Sequence, residues 1–178
     1  MIIGSETALA AIAAEIAGHQ GLSAKERRLV SAKARVDKSV TDAAIIAIKE
    51  GRDIFGEAFL ALRSGVTRRA LGAVYTPDGI VNAMIGWACN EGPAPSLVVD
   101  PGCGSGTFLV AAARAFPKAQ LLGIDIDPLA ALMTRARAKA LGFADRLEVR
   151  VEDYRTTSIP RLDGPNLFIG NPPYVRHH

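Results

Sequence analysis

Two rhythms of apolar residues divide the chain. Through residues 1–70 they recur at helical spacing, and from residue 71 short apolar runs alternate with helical stretches. Ser5 is placed to cap a first helix with Leu9, Ile12, Ala13 and Ile16 on its apolar face, ended by Gly18 and Gly21. Ser23 is placed to cap a basic amphipathic helix running to about Lys38. Thr41 or Asp42 then starts a third helix through Ile45, Ile46 and Ile48 to Gly51. A fourth is expected from about Asp53 to Arg63, burying Ile54, Phe55, Ala58, Phe59 and Leu62. These four helices read as one small module over residues 1–70.

The second rhythm begins with a helix opened by Pro77, running through Ile80, Met84 and Trp87 and broken at Gly92-Pro93-Ala94-Pro95. Four strand candidates follow: Leu97–Asp100, Gln120–Asp125, Leu147–Glu152 and Leu167–Asn171. Helical patterns at about Thr107–Ala115 and Leu129–Leu141 separate the first three. Such alternation predicts right-handed crossovers and an α/β, doubly wound, mostly parallel sheet. Ligands of these sheets bind beyond the carboxyl ends of the strands, and every motif below falls there.

Composition narrows the class. The 178 residues are 49% hydrophobic, enough for one full core and too apolar for a disordered chain. Cys89 and Cys103 are too few for a disulfide framework, which suits a reducing cytoplasm. No run reaches transmembrane length, and Glu6 and Glu15 interrupt the apolar start, so neither a membrane span nor an export signal is expected. The net charge of +3 lies wholly in residues 1–70, where 11 Lys and Arg stand against 8 Asp and Glu. Residues 71–178 balance at 10 against 10. The cluster Lys25, Arg27, Arg28, Lys33, Arg35 and Lys38 reads equally well as a phosphate-binding face or a solvated helix surface.

Candidate chemistry sits at the strand ends. Asp100-Pro101-Gly102-Cys103-Gly104-Ser105-Gly106 joins the first strand to a helix, with glycines at alternate positions that let backbone lie against a ligand. The spacing is not that of a dinucleotide site, and a carboxylate at Asp100 repels a pyrophosphate while attracting an ammonium such as that of S-adenosylmethionine (SAM). Asp125 closes the second strand where an acid receives ribose hydroxyls in this architecture. Asp127 before Pro128 reads as a helix cap, with a secondary cofactor contact left open. Asp153 is the choice for accepting from an adenine amine, with Glu152 as rival. Thr76 can cap the helix opened by Pro77, which leaves Gly72 and Tyr75 unexplained by local structure.

The last motif is Asn171-Pro172-Pro173-Tyr174, after the apolar run Leu167-Phe168-Ile169. Two prolines remove two backbone donors and stiffen the turn, leaving carbonyls free to accept. The Asn171 side-chain oxygen and the Pro172 carbonyl can take the two hydrogens of one planar amine, and Tyr174 offers a ring face to the group carrying it.

Taken together, these elements resemble the amino-methylating DNA methyltransferases, specifically adenine-specific enzymes of the gamma motif order. There a Tyr-Thr-Pro element, the cofactor loop, the ribose acid, the adenine-contacting acid and Asn-Pro-Pro-Tyr follow in sequence, as they do here from Gly72 to Tyr174. Gly56-Glu57-Ala58-Phe59 and Arg68-Arg69-Ala70-Leu71 also look like the lead-in of large restriction–modification enzymes. The resemblance implies a Rossmann-like, SAM-dependent methyltransferase sheet over residues 71–178, incomplete at about four strands and preceded by the helical module. It implies SAM as cofactor and no metal. Gly72, Tyr75, Thr76 and Pro77 would line its methionine end, Asp100, Gly102 and Gly104 would cradle it, Asp125 would hold ribose and Asp153 adenine. Asn171, Pro172, Pro173 and Tyr174 would be the catalytic element, acting on an adenine flipped from double-stranded DNA.

A full sheet of this kind has seven strands, so the chain is expected to be the N-terminal part of a larger enzyme or half of a split one. It would hold SAM without methylating DNA alone, lacking a C-terminal half or target-recognition domain. The nearest rival is a protein-glutamine methyltransferase acting on release factors, disfavoured by Tyr75-Thr76-Pro77 and the Asp-Pro opening of the loop. An RNA base methyltransferase ranks third. An inactive DNA-docking or interaction fragment is a different class. Asn171 favours adenine over cytosine, whose enzymes usually carry serine there.

Overall fold

The computed structural model describes residues 3–30, 35–63 and 76–172. In chain order these form α1 (Glu6–Ala17), α2 (Ala24–Leu29), α3 (Lys38–Lys49), α4 (Ile54–Leu62), α5 (Asp78–Glu91), β1 (Leu97–Pro101), α6 (Thr107–Ala115), β2 (Gln120–Asp125), α7 (Pro128–Leu141), a 3₁₀ turn (Ala144–Arg146), β3 (Leu147–Val151) and β4 (Asn166–Phe168).

The four strands make one parallel sheet in the order β3-β2-β1-β4. β1 is central because Leu97, Val98 and Val99 are apolar on both faces, and all three are buried. Leu97 pairs with Gln120 on one side and Asn166 on the other, so β2 and β4 flank it in register. Ile169 N–H donates to the Val99 carbonyl at 3.0 Å, extending the β1–β4 pairing past β4 and setting Asn171 beside the loop that follows β1.

The N-terminal helices lie against α7. Leu9, Ile12, Ala13 and Ile16 of α1, Ala44 and Ile48 of α3, and Phe55 and Phe59 of α4 share one buried cluster with Leu129, Leu132, Met133 and Ala136 of α7. Fully burying one such side chain contributes about 1.5–3 kcal/mol. A second cluster joins Val81 and Ile85 of α5 to Phe108, Leu109 and Ala112 of α6 and to Val98, Leu121 and Val149 of the sheet.

Element boundaries and buried faces depart from the sequence pattern in several places, β4 among them, which spans Asn166–Phe168 rather than the expected Leu167–Asn171. The helix begun at Ser23 carries the expected capping box with Glu26 but ends at Leu29, not near Lys38. Glu26 is fully buried and accepts from Arg135 Nε at 2.7 Å, while Lys25 Nζ donates to the Val151 carbonyl at 3.0 Å. These long-range bonds tie the short helix to α7 and β3, and commit part of the basic cluster to structure.

The third helix starts at Lys38, capped by Asp37 through Ser39 N–H, rather than by Thr41 or Asp42, which lie inside it. Its Ile46 faces solvent. Likewise α5 buries Val81 and Ile85 against α6, and leaves Ile80 and Trp87 exposed. Positions 81, 84, 85 and 88 form the continuous helical stripe there, and 80 and 87 fall outside it.

Candidate active site

The site is built where β1, β2, β3 and β4 end. The loop after β1 turns on Gly102, Gly104 and Gly106, with φ of +84°, +56° and +83°, a region that side chains with a Cβ rarely enter. Gly102 and Cys103 N–H both donate to the Ile124 carbonyl, at 2.7 and 3.0 Å, anchoring the loop to β2. At Gly106 a Cβ would also lie 2.9 Å from Thr134 Oγ1, so α6 and α7 meet through the absent side chain.

Asp125 organises the next turn. Its Oδ2 accepts Gly104 N–H and its Oδ1 accepts Asp127 N–H, both at 2.9 Å. One lone pair on each oxygen stays available to an outside donor, the geometry a pair of vicinal hydroxyls requires. Burial raises the Asp125 pKa, opposed by the two amide donors; the Asp127 charge raises it further and Arg63 lowers it.

Asp127 caps α7 as expected, accepting Leu129 N–H at 2.9 Å with Pro128 in the first turn. Its other oxygen pairs with Arg63 Nη1. Glu152 N–H donates to the Asp125 carbonyl at 3.0 Å, which brings the end of β3 to this turn. There Asp153 is chelated by Arg155, whose Nη2 is 2.5 Å from Oδ2; these bonds lower the Asp153 pKa to about 2. Glu152 accepts instead from Thr157 at 3.0 Å.

Asp100 is the most unusual group. It is 1% exposed and neither carboxylate oxygen has a hydrogen-bond partner among the described residues. Burial raises its pKa well above the usual carboxylate range, and the charge of Asp125 adds to the rise. A buried acceptor pair left empty costs about 1–3 kcal/mol. Cys103, beside both acids, is pushed up for the same reasons and stays a neutral thiol. The cradle therefore holds buried acids whose charged forms a bound cation would stabilise, which fits an ammonium-bearing ligand and opposes an anionic one.

The end of β4 closes against this cradle. A Cβ at Gly170 would lie 2.3 Å from Asp100 Oδ1, so only glycine lets the chain cross the carboxylate so closely. Asn171 follows, and its Nδ2 donates to Thr76 Oγ1 at 3.2 Å. That bond leaves the Asn171 oxygen as the unassigned acceptor. It also corrects the expected role of Thr76. Pro77 itself occupies the N-cap position of α5 with no side-chain cap bond, so the Thr76 hydroxyl lies one residue too early to cap and is spent on Asn171.

Of the sequence candidates, Thr76, Pro77, Asp100, Gly102, Gly104, Asp125, Asp153, Asn171 and Pro172 lie in the described residues, while Gly72, Tyr75, Pro173 and Tyr174 lie outside them. Three contributing residues escaped the sequence reading. Asp53, Arg63 and Arg137 touch the loops after β1 and β2 from elements that looked merely structural. Arg137 carried a usable signal. It stands on the Leu129–Met133 stripe of α7, a charged residue on an apolar face.

Among the described residues no group of three His, Cys, Asp or Glu side chains could hold a metal ion, and no helix is long and apolar enough to cross a membrane.

Residues 98–165 match the family described as Methyltransferase domain. The type II methyltransferase M.XamI of Xanthomonas campestris pv. amaranthicola is 55% identical over 107 residues, covering 60% of this chain and 20% of that protein. A release factor glutamine methyltransferase of Cereibacter sphaeroides is 32% identical over 123 residues, covering 68% of this chain and 41% of that protein. The fold matches a protein from Listeria monocytogenes assigned as a class I S-adenosylmethionine-dependent methyltransferase. The TM-score is 0.57 at 14% identity, over 94% of this chain and 51% of that one. The chain spans less than half the length of either curated relative.

Proposed function

We propose that this methyltransferase domain, with the class I SAM-dependent fold, binds SAM and serves an enzyme that methylates the exocyclic amine of adenine in DNA. One observation carries the reading. Asn171 is fixed by Thr76 just past β4, and its neighbour Gly170 crosses closely over the carboxylate of Asp100 at the end of β1, which has no hydrogen-bond partner among the described residues. An amine acceptor and a cation acceptor thus adjoin on neighbouring strands. The identity to a type II methyltransferase, higher than that to the release factor enzyme, supports DNA over a protein amide as the substrate.

In this reading Asp100 takes the cofactor ammonium, Asp125 the ribose hydroxyls and Asp153 the adenine amine. Gly102 and Gly104 supply close backbone, and Gly72, Tyr75, Thr76 and Pro77 line the methionine end. Bound SAM supplies an electrophilic methyl group. The chain's own part is to prepare the acceptor. An adenine amine is a weak nucleophile because its lone pair is delocalised into the ring. Asn171 Oδ1 and the Pro172 carbonyl accept its two hydrogens, which favours a pyramidal nitrogen and stabilises the positive charge that develops there. Tyr174 stacks on the flipped base, and Pro173 stiffens the turn between them. Thr76 fixes which face of the Asn171 amide points outward.

The proposed setting is a restriction–modification enzyme working in the cytoplasm on double-stranded DNA, with target recognition supplied outside residues 1–178 and no turnover by these residues alone. Calorimetric titration of SAM into the chain tests the cofactor half, and Asp125→Ala should abolish the binding. Mass spectrometry of nucleosides from DNA and RNA and of peptides from release factor, after incubation with the complete enzyme, tests the substrate. N6-methyladenine in DNA is the expected product, and methylglutamine in release factor would overturn the reading.

A further inference from the structure

Asp53 lies 47 residues before the first of the cofactor-side acids, Asp100, yet it reaches into the glycine-rich loop. Its Oδ2 accepts from Ser105 Oγ at 2.5 Å, Thr107 Oγ1 at 3.1 Å and Arg137 Nη1 at 2.9 Å. Oδ1 meanwhile accepts Gly56 N–H at 2.9 Å, capping α4. Arg137 Nη1 also donates to the Ser105 carbonyl at 3.0 Å. Asp53 and Arg137 side chains are both 6% exposed, so this is a dry junction between α4, α7 and the loop. Gly56 is part of it, since a Cβ there would lie 2.6 Å from Asp53 Oδ2 and 3.0 Å from Ser105 Oγ.

The other end of α4 makes a second junction. Arg63, its C-cap, pairs with Asp127 through Nη1 and with Glu6 through Nε at 2.8 Å, lying 4.2 Å from the Phe59 ring centroid. Asp127 N–H is one of the two donors that hold Asp125. A single short helix therefore touches the loop after β1 at its start and the turn after β2 at its end.

We infer that α4 is a positioning strut for the cofactor site, with Asp53 setting the shape of the glycine-rich loop and Arg63 the turn of the ribose acid. This rests on the cofactor reading given above. In that reading neither side chain is assigned a contact with cofactor or substrate. Each acts through intermediaries: Asp53 through Ser105 on the loop of Gly102 and Gly104, and Arg63 through Asp127 on Asp125. The consequence is an uneven dependence. The Asp53 end governs the loop assigned to the amino-acid half of SAM, so its loss should weaken SAM more than adenosine, which lacks that half.

The test is paired calorimetry of SAM and of adenosine on the full chain, with circular dichroism and thermal unfolding on every variant. Asp53→Asn keeps a capping side chain but removes the charge facing Arg137, and Ser105→Ala removes the 2.5 Å bond to Asp53 together with the longer contacts of the same hydroxyl to Thr107 and Arg137. Each should raise the SAM Kd by about tenfold, the scale of one charge-assisted hydrogen bond, with a much smaller change for adenosine. Thr107→Val should follow them, and Thr107→Ser, which keeps the hydroxyl, should bind as wild type does. Should Asp53→Asn fail to fold, Ser105→Ala carries the decision. Unchanged SAM binding in folded variants, or equal losses for SAM and adenosine, overturns the strut while leaving the cofactor reading intact. A folded wild-type chain that binds neither ligand removes both.

Discussion

Thr76 accepts a hydrogen bond from the side-chain amide of Asn171 at 3.2 Å, across 95 residues of sequence. The bond joins the segment entering α5 to the segment leaving β4, and it consumes the donor end of an amide whose acceptor end is proposed to do the chemistry.

Thr76→Val should therefore lower kcat of the complete enzyme by about 10- to 100-fold, the scale of a misplaced reacting group, while changing SAM affinity little. Thr76→Ser should restore it. Separate measurement of kcat and SAM Kd checks this, since a loss confined to affinity would make Thr76 a cofactor ligand.

Asp100→Asn should stabilise the cofactor-free protein and weaken SAM. A carboxyl whose folded pKa is raised adds its full stability below its unfolded pKa and loses it as pH rises through the folded one. The stabilisation by Asn should thus be largest at neutral and alkaline pH and vanish on acidification. A gain of about 1 kcal/mol corresponds to roughly 2–4 °C in Tm for a chain of this size. An ammonium ligand draws the same pKa back down, so wild-type SAM affinity should rise with pH through the Asp100 titration and then level off. Thermal melts and titrations over a pH series decide both points.

Asp153 should behave in the opposite way. Held to a pKa of about 2 by Arg155, it is ionised throughout the neutral range, and its contribution fades only as pH falls through that value. Asp153→Asn should weaken SAM by a factor that stays constant between about pH 5 and pH 9. A constant ratio near one, with Glu152→Gln weakened instead, would transfer the adenine contact to Glu152.

Gly106→Ala tests the loop itself. The new methyl group meets Thr134 and the residue is forced to φ +83°. Strain of this kind costs about 1–3 kcal/mol, so unfolding should shift down by several degrees, with a parallel loss of SAM binding. Melting at the wild-type temperature would show that the loop can adopt another turn.

Much of this architecture was legible in the chain. The four strands and their parallel pairing followed from apolar runs and crossover rules, and Asp127-Pro128 announced the start of α7 because capping is local chemistry. The failures share a cause. Lys25 read as part of a basic face and Glu26 was not singled out, but they bond to Val151 and Arg135 more than a hundred residues away, where no window along the sequence can see them. Thr76 looked like a cap for the same reason. Asp53 was read correctly as the start of a helix and missed as the partner of Ser105, since one carboxylate oxygen serves each purpose.

The register of β1 bears on the order in which the chain assembles. Leu97 meets Gln120 across one crossover helix, and Leu121 meets Leu147 across the next, whereas Leu97 meets Asn166 only after both are in place along the chain. Loops that close over fewer residues close more readily. During synthesis the first three strands and their acids emerge before β4 does. β4 and the Asn171 segment that follows it then dock onto a cradle that already exists, so a nascent chain gains the side proposed for the methyl donor before the side proposed for the acceptor.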